Sequence, residues 1–141
     1  MTFPYSQQNT ESGRRLETLV RGLTDADLDC TTDYHWTVAA LLAHLAFWDH
    51  RMSVILNRWQ TEGLNPSEID STAVNDSLKV ICHALVPRVA AELALVAAEK
   101  IDSELEVLTP ERVQATSTQY RMNRSLHRES HLKDIEALIS K

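Results

Sequence analysis

The sequence predicts an all-α domain, a four-helix bundle, on three observations. Apolar residues recur at alternating steps of three and four, and no segment alternates with period two. The 141 residues include only 3 Gly and 4 Pro, too few for a turn-rich all-β fold. With 43% hydrophobic and 24% charged residues, one domain over 1–141 can build its core without metal or disulfide staples.

The first helix is predicted from about Ser6 to Gly22, with Leu16, Leu19, Val20 and Leu23 at helical spacing and Gly22 and Thr24 as a stop. The segment TDADLDCTTDYH breaks that period with Asp and Thr and is predicted as a loop. Helix two is predicted from about Trp36 to Gln60, capped by Thr37 and ending near Gly63. Its residues Val38, Leu41, Leu45, Trp48, Met52, Ile55 and Trp59 form a narrow apolar seam expected to be mostly buried. Ser71 is expected to cap a third stretch, to about Ala84, carrying Val74, Leu78, Ile81 and Leu85. Pro87 interrupts it and belongs in the first turn of a second piece with Val89, Leu93, Val96, Ala97 and Ile101. Asp102 to Asn123 is expected to be a connection with some local turn structure. Asn123 or Ser125 starts the last helix, whose stripe is Leu132, Ile135, Leu138 and Ile139.

Charge and composition narrow the function classes. Fourteen Lys+Arg against 20 Asp+Glu give a net charge of −6, which a phosphate backbone would repel, so no nucleic-acid partner is expected through a general basic surface. No apolar run reaches the roughly 18 residues of a membrane span, and no membrane partner is expected. The opening MTFPYSQQNTESGRR lacks the apolar middle of a secretory signal. Cys30 and Cys82 stand far apart, form no CxxC pair, and are read as reduced thiols. The expectation is a soluble cytoplasmic protein.

The concentrated chemical resource is histidine. His127 and His131 stand four apart in SLHRESHLKDIEALI, a spacing that turns the second side chain by only about 40° and lifts it by about 6 Å. Two imidazoles can therefore bind one ion from one helical face. The progression His127, His131, Ile135, Leu138 puts both on the side that turns inward, where polar rings need partners. A lone HxxxH also reads as two satisfied or partly exposed histidines. No Glu follows His127 as HExxH requires, which argues against a zincin-like protease. His44, in LLAHLAFWDHR at the edge of the helix-two seam, reads alone as a packed core histidine. With the pair from the last helix it makes three nitrogen ligands with open coordination positions, a reactive site rather than a closed structural one. His35, His50 and His83 are taken as non-ligands, His35 being the first that would be reconsidered.

The pattern resembles the DinB/YfiT-like superfamily of metal-dependent enzymes over most of the chain. WTVAALLAHLAFWDHR, Trp36 to Arg51, is similar to the family's helix-two motif with its ligand His. IDSTAVND resembles the stretch in which Asn75 opens the third helix, and HRESHLKDIEALI resembles the closing HxxxH motif. The resemblance implies an up-down-down-up bundle holding a divalent metal on His44, His127 and His131. It implies no single substrate: relatives include a mycothiol-dependent maleylpyruvate isomerase and bacillithiol S-transferases. Asn75 is a neighbour of the site by its motif position, with no role assigned. The family often pairs, and Trp59 is read equally as part of a homodimer surface or as intramolecular core.

The leading expectation is a transferase acting on a small-molecule substrate, in which zinc or nickel activates a low-molecular-weight thiol cosubstrate. The first alternative is a metal-dependent hydrolase, since a three-histidine zinc site can lower the pKa of bound water to about 7. The second is a non-catalytic metal-binding stress protein. Arg124 and Arg128 could bind a carboxylate, but the simpler expectation is solvated cations on the outer side of the last helix. Glu129 is expected on that exposed side, a poor general base.

Overall fold

The computed structural model describes residues 4–65, 67–116 and 122–140. Seven helices run through them in chain order: α1 Ser6–Gly22, α2 Asp25–Asp29, α3 Val38–Glu62, α4 Ser71–Ala84, α5 Pro87–Glu106, α6 Pro110–Thr116 and α7 Ser125–Ile139. Among the described residues there is no strand, only an isolated antiparallel bridge between Thr31 and Thr37. The chain is all-helical, as its periodicity predicts, with more helices than four.

Two of the extra helices lie where connections were expected. Thr24 and Asp27 form a capping box, each side chain accepting the other's backbone N–H, at 3.1 and 2.9 Å, and this starts α2. The aspartates that read as breakers are its first-turn acids. Beyond Asp102, α5 continues to Glu106 because Ile101 and Leu105 both point into the core, and α6 begins at Pro110. The rest of the predicted connection, 117–121, lies outside the described residues.

α3 is the central element. Thr37 caps it by accepting from the Ala40 N–H at 3.0 Å, and Gly63 ends it at φ 82°, a conformation suited to glycine. Its buried surface is far wider than the predicted seam. Val38, Leu41, Leu45, Met52 and Ile55 are buried as expected, but so are Ala39, Ala40, Leu42, Ala43 and Ala46, while Trp48 and Trp59 are only half-buried. The breadth follows from its neighbours: α5 packs most extensively on α3, with α2, α4 and α7 around it, and α1 rests on α5 and α7.

α4 is capped by Asp70, not Ser71, the Asp70 carboxylate accepting from the Ala73 N–H at 3.1 Å. α5 starts with Pro87 in its first turn as predicted, and Ala97 and Ile101 are buried as predicted, but the rest of its buried face differs. Ala90, Ala91, Ala94, Ala97 and Ala98 face inward, while Val89, Leu93 and Val96 are exposed. Alanines on α3 and α5 let the two helices approach closely, so the larger aliphatics turn outward. Ile81 of α4 is also exposed, and Cys82 takes the inward place beside it.

Candidate metal centre

α7 begins at Ser125 under the control of α1. Its preceding residue, Arg124, offers no side-chain cap; instead Asn9 Oδ1 accepts from the N–H groups of Arg124 and Ser125, at 2.8 and 3.2 Å. Asn9 Nδ2 donates to the Met122 carbonyl at 3.0 Å. This clamp fixes the start of α7 and hence the direction of every side chain on it.

His127 and His131 of α7 meet His44 of α3. The three ring centroids are 4.9–5.0 Å apart, and one ligand nitrogen of each lies within 4.8 Å of the others. The Nε2 atoms of His44 and His127 are 3.1 Å apart. Nitrogens bound to one zinc at about 2.0–2.1 Å and tetrahedral angles stand about 3.3 Å apart. The same separation suits a hydrogen bond shared between two neutral rings, so the distance alone decides nothing. Nδ1 of His44 and Nδ1 of His131 are both buried and accept or donate no hydrogen bond among the described residues. The three rings could hold a metal ion between them.

His44 Nδ1, the nitrogen turned away from His127, makes no hydrogen bond among the described residues that would orient the ring. Aromatic walls hold the ring instead: Trp36 meets it edge-on at 5.5 Å and Trp48 at 6.4 Å. Burial first, then the charge of His131, pushes the His44 imidazole down to about 4, and burial lowers His131 against the opposing pull of Asp134. Both are therefore neutral at neutral pH, the form that ligates metal.

The other histidines stay apart. His35 is exposed at φ 66°, His50 is exposed, and neither joins the cluster. His83 is exposed but engaged: its Nδ1 is 2.6 Å from the Lys79 carbonyl, its Nε2 accepts from the Thr37 N–H at 3.2 Å, and its ring lies 5.5 Å from Trp36. Asn75 reaches the site through Trp48, accepting the indole N–H at 3.0 Å.

Arg124 and Arg128 are not solvated cations. Arg128 is wholly buried, and its guanidinium donates to Asp102 at 2.8 and 2.9 Å, to Asp49 at 3.2 Å, to the Asn9 and Ala98 carbonyls and to Ser12. Arg124, also buried, donates to the other Asp49 oxygen at 2.8 Å. A Cβ at Gly13 would stand 3.3 Å from Asp102 Oδ2, so a bare α-carbon there makes room for the pair. Glu129 is half-exposed and ion-paired with Arg15. The sequence reading missed this network, although its signal was present. Arg128, Leu132, Ile135 and Ile139 share one helical face, as do Leu45, Asp49, Met52 and Leu56. Opposite charges centred on two apolar stripes point to a buried pair.

The sequence matches the family model of the DinB superfamily over residues 8–129. The match takes in His44 and His127 and stops two residues before His131. No curated protein and no solved structure matches the chain. On the extent of the family match, the chain belongs to the DinB superfamily.

Proposed function

We propose that this protein is a metal-dependent enzyme whose three histidines hold zinc or nickel and which transfers a low-molecular-weight thiol to a small electrophilic substrate. The observation that carries the reading is the meeting of His44, His127 and His131, with one ligand nitrogen of each within 4.8 Å of the others. A bound dication would strip the proton from a coordinated thiol and so supply a nucleophile at neutral pH.

The chain's own residues prepare that chemistry. Burial keeps His44 and His131 unprotonated. Trp36 and Trp48 wall the ring of His44 away from water, and low polarity strengthens each charge interaction inside. Arg128, one residue from His127, ties α7 to α1, α3 and α5 and so sets the angle at which both α7 histidines project.

The same reading takes α1, α3, α5 and α7 as the four bundle helices in up-down-down-up order, supported by the packing of α5 along α3 and of α1 on α5 and α7. It takes the chain as cytoplasmic, supported by two unpaired cysteines; no helix is long and apolar enough to cross a membrane among the described residues. It also takes the chain as a homodimer through α4 and α5, which expose Val80, Ile81, Val86, Val89, Leu93 and Val96. Sedimentation at the mass of one chain at micromolar concentration would remove the dimer. Trp59 is better read inside its own chain, since the Arg112 guanidinium lies 4.9 Å over its ring.

The test of function is turnover of thiol and electrophile mixtures by tag-free, zinc- or nickel-loaded protein. Consumption of electrophile that requires the thiol is expected. Turnover of esters or amides without any thiol would instead assign water as the nucleophile.

A further inference from the structure

α3 presents His44, Trp48 and Arg51 at steps of four and three, on a single face. Trp48 follows His44, and the Arg51 guanidinium carbon lies 5.8 Å from the Trp48 ring centre. The indole cannot swing freely, because Asn75 holds its N–H. Arg51 is half-buried and donates from Nη2 to the Ser67 carbonyl, which leaves further N–H groups of its fork unused by that bond.

The charges around it do not balance. Arg124 and Arg128 are matched by Asp49 and Asp102. None of the ion pairs among the described residues includes Arg51. Arg51 thus has no carboxylate within 4.0 Å among the described residues, two turns along α3 from His44. Asp134 does not neutralise it: it lies beyond His131 along α7, while Arg51 lies toward Arg124, and it accepts the Tyr34 hydroxyl at 2.9 Å. Burial, then the charge of Arg124, pulls the Arg51 guanidinium below its ordinary value.

Resting on the thiol reading above, we propose that Arg51 anchors a carboxylate of the thiol cosubstrate. His44 and Arg51 are about 10 Å apart along the helix axis, so the carboxylate sits several bonds from the sulfur. The aliphatic stretch between them lies along Trp48. A metal held by His44, His127 and His131 would let the thiol lose its proton to solvent and bind as the thiolate; the carboxylate would enter already ionised and accept charge-assisted hydrogen bonds from the Arg51 guanidinium.

The experiment uses two probes of equal length, 6-mercaptohexanoate and 6-mercaptohexanol, titrated into the full chain loaded with cobalt(II). Thiolate-to-cobalt charge-transfer absorption reports binding without any turnover. The acid should bind at least about 10-fold more tightly than the alcohol. Arg51→Met should abolish that preference by weakening the acid far more than the alcohol, and Arg51→Lys should keep part of it. Equal affinities in the unmutated protein, or a preference that survives Arg51→Met, would overturn the inference and leave the thiol site standing. Absence of the charge-transfer band with either probe would overturn the thiol reading and this inference with it.

Discussion

His127 and Arg128 are adjacent in sequence, yet they enter two polar clusters that satisfy themselves in opposite ways. Around Arg128 every strong donor meets a carboxylate, a carbonyl or a hydroxyl of its own chain. Around His127 the neighbouring rings of His44 and His131 keep buried nitrogens that meet nothing among the described residues. A buried polar cluster that closes on itself specifies how helices dock, whereas three converging ligand nitrogens offer donors that a metal ion could use. The contrast can be broken or sharpened by treating the first cluster as architecture and the second as a site.

The largest effect belongs to the closed cluster. Arg128→Met leaves Asp49 and Asp102 with too little positive charge, and breaking a buried ion network in this way costs about 3–5 kcal/mol. Chemical denaturation should show that loss, and a loss below about 1 kcal/mol would mean the network is dispensable. The open cluster should respond to acid. His44 titrates near 4 in the folded chain against about 6.5 unfolded. Between those values the unfolded chain binds the extra proton, so this contribution is complete above about pH 6.5 and is lost as pH falls toward 4. For metal-free protein the loss is on the order of 3 kcal/mol at most, and His44→Gln should flatten that part of the stability–pH curve. An unchanged slope in the variant would assign the acid sensitivity to other groups.

Zinc should then separate the clusters. At about 100 times its dissociation constant a ligand specific to the folded state stabilises by about 2.7 kcal/mol, and thermal melting of the unmutated chain should rise accordingly. The smallest effect is expected at Asn75→Ala, which removes one hydrogen bond from Trp48 and costs about 1 kcal/mol. Its zinc affinity should change little, because Asn75 meets the cluster only through the indole.

The helices with one apolar face were legible in the sequence, and so was the histidine cluster. Thr37, Pro87 and Gly63 act as punctuation in the positions where their chemistry suggests. Local pattern cannot report how closely two helices approach. On α5 it favoured Val89, Leu93 and Val96, whereas contact with α3 selected the alanines. Capping chemistry hidden in a charged stretch was missed at Thr24 and Asp27 for a related reason: aspartate opposes a helix interior and supports a helix start. The three histidines were found because helical spacing and the family motif agree on them. Arg128 was assigned to solvent because long charged side chains are almost never fully buried unless paired, and its partners come from α3 and α5.

The central claim is that His44, His127 and His131 hold one metal ion while the rest of the fold stands without it. Metal analysis of tag-free protein, made beside metal-free melting curves for His131→Ala, His35→Ala, His50→Ala and His83→Ala, tests it most directly. One zinc or nickel per chain should be retained by the unmutated protein and by the His35, His50 and His83 variants. It should be lost from His131→Ala, whose metal-free stability should stay within about 1 kcal/mol of the unmutated chain. Equal metal content in His131→Ala and the unmutated protein would contradict the account.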